Sequence, residues 1–292
     1  MTYTPFNGTK NYHPDARLTT MVNIAIARER PLLITGEAGT GKTQLAYAIS
    51  EFLGLPLYRA QMTSTMEGEE ICYTFDSVLR LTDSQLVSHG SSIDGRVISN
   101  PLCYVRYGAM GKAFCDEKRS VVLIDEIDKT ESTVQDDLLR VLESYEFEVR
   151  EANTVIKAHQ KPIIVITSNG KRELSDAFLR RCYAHHIDFP AKEQLHKIVQ
   201  IHYPQTNPLI QQHAINILYE FRSIGLEKSP ATSEILDWIG ALNDLNIIPP
   251  RTIHNKDEIP LIGLLLKRGM DLERVTEGNF QTRRNRDERV GM

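Results

Sequence analysis

Apolar residues in this chain are arranged in two ways. Three runs, Pro31-Leu32-Leu33-Ile34-Thr35, Val121-Val122-Leu123-Ile124 and Pro162-Ile163-Ile164-Val165-Ile166, have strand length and no polar face, the pattern of parallel strands covered on both sides. Leu55-Pro56-Leu57-Tyr58-Arg59-Ala60 reads as a further strand. Elsewhere apolar positions return at helical spacing: from Leu18 to Arg30, from Gln44 to Ile49, and at Val134, Leu138, Val141, Leu142 and Tyr145. Strands alternating with helices predict an α/β fold with a central parallel sheet. Between Val149 and Lys157 apolar and polar residues alternate around Ala152-Asn153, which predicts a hairpin.

After Pro190 the spacing becomes helical only. Leu195, Ile198 and Val199 form one stripe, Ile210, Ala214, Ile215, Leu218 and Phe221 a second, and Ile235, Trp238, Ile239 and Leu242 a third. Trp238 belongs to packing on this pattern. The expected organisation is a loosely ordered leader over 1–16, an α/β core over 17–190, a small all-α domain over 191–276 and a charged tail over 277–292. Within the core, about 62–118 is an insert longer than one connecting helix requires. It holds Tyr73-Thr74-Phe75-Asp76, a Gly/Ser stretch over 88–95 and the apolar-aromatic Cys103-Tyr104-Val105-Arg106-Tyr107-Gly108.

The first strand and the helix after it bracket Gly36-Glu37-Ala38-Gly39-Thr40-Gly41-Lys42-Thr43, with Gln44 following. This is the phosphate-loop pattern G-x-x-x-x-G-K-[ST] in its proper context, strand before and helix after. The glycines let successive N–H groups turn toward phosphate oxygens at the positive end of the helix dipole. Lys42 would neutralise the β and γ phosphates of a bound nucleotide, and Thr43 would place its hydroxyl on Mg²⁺.

The second run ends in Asp125-Glu126, where a central parallel strand meets its ligand edge. Asp125 suits a metal-holding carboxylate and Glu126 a group that orients or deprotonates the attacking water. The third run ends in Thr167-Ser168-Asn169, whose Asn169 amide suits contact with the γ phosphate and the lytic water. In Ala177-Phe178-Leu179-Arg180-Arg181-Cys182, either Arg181 or Arg180 suits an arginine finger offered to a neighbouring subunit.

Taken in order, the phosphate loop, LIDEID, ITSN and FLRRC resemble the AAA+ ATPases, and more narrowly their MoxR-type branch. Asp137-Leu138-Leu139-Arg140-Val141-Leu142-Glu143 and Lys228-Ser229-Pro230-Ala231-Thr232-Ser233-Glu234-Ile235-Leu236-Asp237-Trp238 are similar to segments of that branch, and the resemblance runs from about residue 17 to about residue 270. It implies a P-loop AAA+ core with a lid, ATP hydrolysis with Mg²⁺, and a homo-oligomeric ring, expected to be a hexamer. It also implies chaperone-like remodelling of protein clients, with a von Willebrand factor A domain protein among the partners. By family position, Tyr12, His13, Val22 and Ile26 lie near the adenine. Many relatives have an arginine after the Ser-Pro of the lid, where this chain has Ala231; Lys228 stands three positions earlier.

A net charge of −4 and a pI near 6.2 provide no general attraction for nucleic acid or anionic membrane. No run of 18 apolar residues occurs and the first residues lack a signal-peptide pattern, so the expectation is a cytoplasmic protein with no membrane partner. Cys72, Cys103, Cys115 and Cys182 lack metal or CxxC spacing, and His185-His186, neighbours on a strand, would face opposite ways. The alternative reading is a nucleotide-dependent switch or motor subunit of a nucleic-acid-associated defence or restriction assembly. Acids outnumber bases in the insert, which argues against a nucleic-acid track.

Overall fold

The computed structural model describes residues 4–88, 96, 98–253 and 258–276. The Gly/Ser stretch beyond Ser88 and the charged tail lie outside the described residues. The chain divides into two compact units, one of Met1–Gly36 and Lys42–Ile187, the other of Glu37–Gly41 and Asp188–Met292.

In the first unit, strands β1 (Leu32–Gly36), β2 (Leu57–Gln61), β5 (Val121–Asp125), β8 (Ile163–Ser168) and β9 (Tyr183–Ile187) form one sheet in the order β2-β5-β8-β1-β9. Every pairing in it is parallel. Alternation along each strand sends neighbouring side chains to opposite faces. Leu32, Ile34, Val121, Leu123, Ile163 and Val165 pack with Val22 and Ile26 of α1 (Ala16–Arg28) and with Leu45 and Ile49 of α2 (Lys42–Leu53). Leu33, Val122, Ile124, Ile164 and Ile166 pack on the other face with Phe114 of α4 (Ala109–Cys115), Leu138 and Leu142 of α5 (Ser132–Ser144) and Phe178 of α6 (Asp176–Arg181). Burial on both faces is why these strands read as unbroken apolar runs. Each buried Val, Leu, Ile or Phe stabilises the fold by about 1.5–3 kcal/mol.

The described residues of the insert form regular elements. Between β2 and β5 the chain forms β3 (Tyr73–Phe75), α3 (Ser77–Ser88), β4 (Val105–Tyr107) and α4. β3 and β4 pair antiparallel, with Tyr73 opposite Tyr107. The predicted hairpin forms from β6 (Glu146–Val149) and β7 (Thr154–Lys157), also antiparallel, and Phe147 of β6 stacks on Tyr73 with ring centroids 5.9 Å apart. At the N-terminus, Phe6 is fully buried against Phe52. Asn23 accepts from the Phe6 N–H at 2.7 Å and donates to its carbonyl at 2.8 Å. The segment expected to be loosely ordered is tied to α1 at this point.

In the second unit, α7 (Lys192–His202), α8 (Pro208–Ser223), α9 (Thr232–Asp244) and α10 (Gly269–Thr276) are helical among the described residues. Their apolar faces meet around Trp238, which is fully buried, and its indole N–H donates to the Pro260 carbonyl at 2.7 Å. No described helix is long and apolar enough to cross a membrane.

Candidate functional site

The carboxyl ends of parallel strands are where open α/β sheets bind ligands, and there the chain collects its polar residues. β1 ends at Gly36 and α2 begins at Lys42. Gly39 and Gly41 between them have φ of 78° and 87°, a region that side chains rarely adopt. At Gly39 space is short as well, since a Cβ would lie 2.7 Å from the Ala231 Cβ. Thr40 Oγ1 donates to the Glu37 carbonyl at 2.9 Å, and the buried Lys42 Nζ donates to the Gly36 carbonyl at 2.9 Å. The loop turns back on itself at the start of a helix, a backbone arrangement that favours an anion.

At the second residue of α2, Thr43 Oγ1 donates to Asp125 Oδ1 at 3.0 Å. Thr167 Oγ1 donates to the same oxygen at 2.7 Å and accepts from the Glu126 N–H at 2.9 Å. One hydroxyl on β8 therefore fixes both members of the acid pair at the end of β5. Asp125 is 3% exposed, and its other oxygen, Oδ2, is 2.6 Å from Nη2 of Arg59 on β2. Burial pulls the Arg59 guanidinium down, but the hydrogen bond and charge of Asp125 outweigh it, so the net shift is upward. Thr43 and Asp125 bring two hard oxygen groups together. Among the described residues, no cluster of three or more His, Cys, Asp or Glu side chains could hold a metal ion. That sparse oxygen set fits Mg²⁺, which keeps waters and takes phosphate oxygens alongside one or two protein ligands.

Glu126 has φ 61° and ψ 51°, a left-handed conformation uncommon for a residue with a side chain. Such backbone persists where surrounding contacts impose it, and it is concentrated at functional sites. Here the Thr167 bond to its N–H and three side-chain donors hold it. Asn169 Nδ2 donates to Oε1 at 2.9 Å and Gln61 Nε2 to Oε2 at 2.8 Å, while Lys129 Nζ also engages Oε2. The Lys129 ammonium is pushed up, chiefly by that hydrogen bond. Asp128, buried, accepts from the backbone N–H groups of Asn169 at 3.1 Å and Lys171 at 3.0 Å, which fixes the turn carrying the amide.

The two arginines of α6 differ. Arg181 is engaged within its own chain, by Nε to the Glu143 carboxylate and by Nη1 to the Ala177 carbonyl at 2.9 Å. Arg180 is exposed. Behind them, Arg30 donates to the carbonyls of both residues and lies 4.6 Å from the centroid of the Tyr183 ring.

In the second unit the loop residue Glu37 pairs with Arg222 of α8 at 2.6 Å. Arg222 also donates to the Pro230 carbonyl at 2.9 Å and stacks 3.6 Å from the centroid of the Phe189 ring. Lys228 is half-exposed and 3.6 Å from Glu234. Arg222, and not Lys228, is the residue that pairs with the loop carboxylate Glu37.

Thr167, Asp128, Gln61, Arg59, Lys129 and Arg222 are not singled out by sequence reasoning. Asp128 had a signal, being the last residue of LIDEID, whereas Arg59 and Gln61 sit on an edge strand, Leu57–Gln61, that carries no motif. The site draws in neither the cysteines nor the histidine pair. Cys72 and Cys182 are buried and their thiols are pushed up to about 12, mainly by burial. His186 Nδ1 lies 2.9 Å from Thr35 Oγ1.

The family model described as AAA domain (dynein-related subfamily) matches residues 31–182, a span from the start of β1 to the end of α6. None of the curated proteins matches the chain. Among solved structures, the chain is similar to the RuvB Holliday junction branch migration motor of Thermotoga maritima, with 14% identity and a TM-score of 0.47 over 80% of this chain and 62% of that one. A point mutant of the same motor gives 15% identity and a TM-score of 0.45 over 79% and 68%. The chain thus spans less than two thirds of the length of that motor.

Proposed function

The chain belongs to the AAA domain family, dynein-related subfamily, and from that membership we propose that it binds ATP with Mg²⁺ at Gly36–Thr43 and hydrolyses it. The observation that carries this reading is the joining of Thr43 to Asp125 with Glu126 beside them, held by Thr167 and Asn169. In this assignment the loop N–H groups of Glu37, Ala38, Gly39, Thr40 and Gly41 cradle phosphate, Lys42 neutralises it, and Gln44 follows on α2. Thr43 and Asp125 hold Mg²⁺, which supplies charge for the leaving phosphate oxygens. Glu126 takes the proton of the attacking water and Asn169 aligns that water. Each of these groups acts where charge or a proton moves in the transition state, which is where stabilisation accelerates the reaction.

The finer reading is a MoxR-type machine: a hexameric ring in the cytoplasm in which one subunit's Arg180 or Arg181 completes its neighbour's site. Hydrolysis there would remodel protein clients, a von Willebrand factor A domain protein among them. The similarity of the LIDEID, FLRRC and lid segments supports it, as does the exposed position of Arg180. Affinity capture with Glu126→Gln in ATP, compared with ADP, tests it. Protein retained only in ATP is the expected result. Hydrolysis stimulated by DNA or RNA, with no protein retained, would contradict it and favour the nucleic-acid-associated assembly.

A further inference from the structure

Asp125 is claimed from two sides. Its Oδ1 accepts from Thr43 and Thr167, and its Oδ2 accepts from the Arg59 guanidinium at 2.6 Å. The carboxylate is nearly fully buried, while the arginine side chain is 40% exposed. The same guanidinium donates to Gln61 Oε1, and the other end of that amide donates to Glu126 at 2.8 Å. Arg59 is thus the cation of a polar chain that touches both acids. Register places it there: Gln61 is directly opposite Asp125 in the β2–β5 pairing, and Arg59, two residues earlier, shares its face.

We propose that Arg59 is a built-in counter-ion for Asp125 that competes with the divalent metal for this carboxylate and supports nucleotide binding when the metal is scarce. The proposal rests on the reading of Asp125 as a metal ligand. Two positive groups on one buried carboxylate repel each other, so each weakens the other's hold. Without either cation, the Asp125 charge loses its nearest partners and repels the phosphates of ATP more strongly, although Lys129 also acts on it. Arg59 thereby makes metal and nucleotide less dependent on one another than a site with Asp125 alone. Through Gln61, its departure from Asp125 also loosens one of the donors on Glu126, linking metal arrival to the freeing of the base.

The test is a thermodynamic cycle on the intact protein, read by binding. The Kd of a slowly hydrolysed ATP analogue is measured in EDTA and at saturating Mg²⁺ for wild type, Arg59→Gln, Arg59→Met and Arg59→Lys. A charge-assisted hydrogen bond corresponds to a factor on the order of ten. The neutral variants are expected to bind about tenfold more weakly in EDTA and unchanged in Mg²⁺, so that the ratio of the two constants rises about tenfold. Arg59→Lys is expected to keep the wild-type ratio. A ratio unchanged in both neutral variants overturns the proposal, as does equal weakening with and without metal, which marks a purely structural strand-edge pair. The two neutral variants differ in polarity, so a folding defect in one leaves the other to decide. Should wild type itself fail to bind the analogue with Mg²⁺, the reading of the whole site fails; a wild type that responds to metal beside unresponsive variants removes Arg59 alone.

Discussion

Thr167 shows how much one hydroxyl can organise. It donates to Asp125 and accepts from the Glu126 backbone, so Thr167→Val takes the partner from a partly buried N–H and one of two hydroxyl donors from a buried carboxylate oxygen. A loss of about 1–3 kcal/mol in urea unfolding is expected, with slowed hydrolysis; Thr167→Ser keeps the hydroxyl and should retain most of both. If Thr167→Val is as stable and active as wild type, the bridge does not set the acid pair. The thiols offer a second residue-scale check. Cys72 and Cys182, raised from 9.0 to about 12 by burial, should resist alkylation at pH 8 while the exposed Cys103 and Cys115 react. Folding favours their protonated form, so this contribution is intact below pH 9 and is lost as pH rises from 9 toward 12. At this scale the phosphate loop, Asp125, Glu126 and Asn169 were legible in the sequence because each lies in or at the end of a continuous motif. Arg59 and Gln61 were not, because their chemistry comes from strand pairing across more than 60 residues of chain.

At the scale of elements, the three central strands β5, β8 and β1 were legible because burial on both faces makes them near-continuous apolar runs. The insert was harder to read. Its aromatic stretches around Tyr73 and Tyr107 stand out in the sequence, but their pairing as β3 and β4 depends on contacts that no local pattern records. Phe6 escaped in the same way: a lone aromatic among polar residues looks like loose chain until Asn23 of α1 holds its backbone. At the start of α9 there is little room around residue 231. An arginine at 231 would restore the residue common in relatives, yet Ala231 is buried with its Cβ against Gly39. Ala231→Arg is therefore expected to displace the loop and weaken ATP binding by about tenfold or more, overpacking of this kind costing about 1–3 kcal/mol. Tighter ATP binding in a titration would show that the arginine finds another path. Arg222→Ala should loosen the loop through Glu37, whereas Lys228→Ala should leave nucleotide affinity unchanged.

For the whole molecule, the family assignment establishes an AAA core, and the proposed ring raises the question of whether subunits share the chemistry. Arg181 is occupied by Glu143 of its own chain, whereas Arg180 is exposed at the end of the same helix. If Arg180 serves a neighbour, Arg180→Ala should bind ATP normally and hydrolyse it about 10³-fold more slowly, as for other arginines supplied in trans. Mixing it with Lys42→Ala subunits should restore part of the activity, because each lacks what the other supplies. Mixed assemblies without any recovery would place the arginine outside the reaction.

The most direct measurement compares ATP binding and ATP hydrolysis in Lys42→Ala and Glu126→Gln. Lys42 meets phosphate charge that is present before reaction, whereas Glu126 acts on a proton that moves only during it. Lys42→Ala is expected to lose binding, and Glu126→Gln to bind ATP with Mg²⁺ as wild type does while turning it over at least about 100-fold more slowly. Equal loss of binding in both variants, or wild-type turnover in Glu126→Gln, would contradict the assignment of this site as one that hydrolyses ATP.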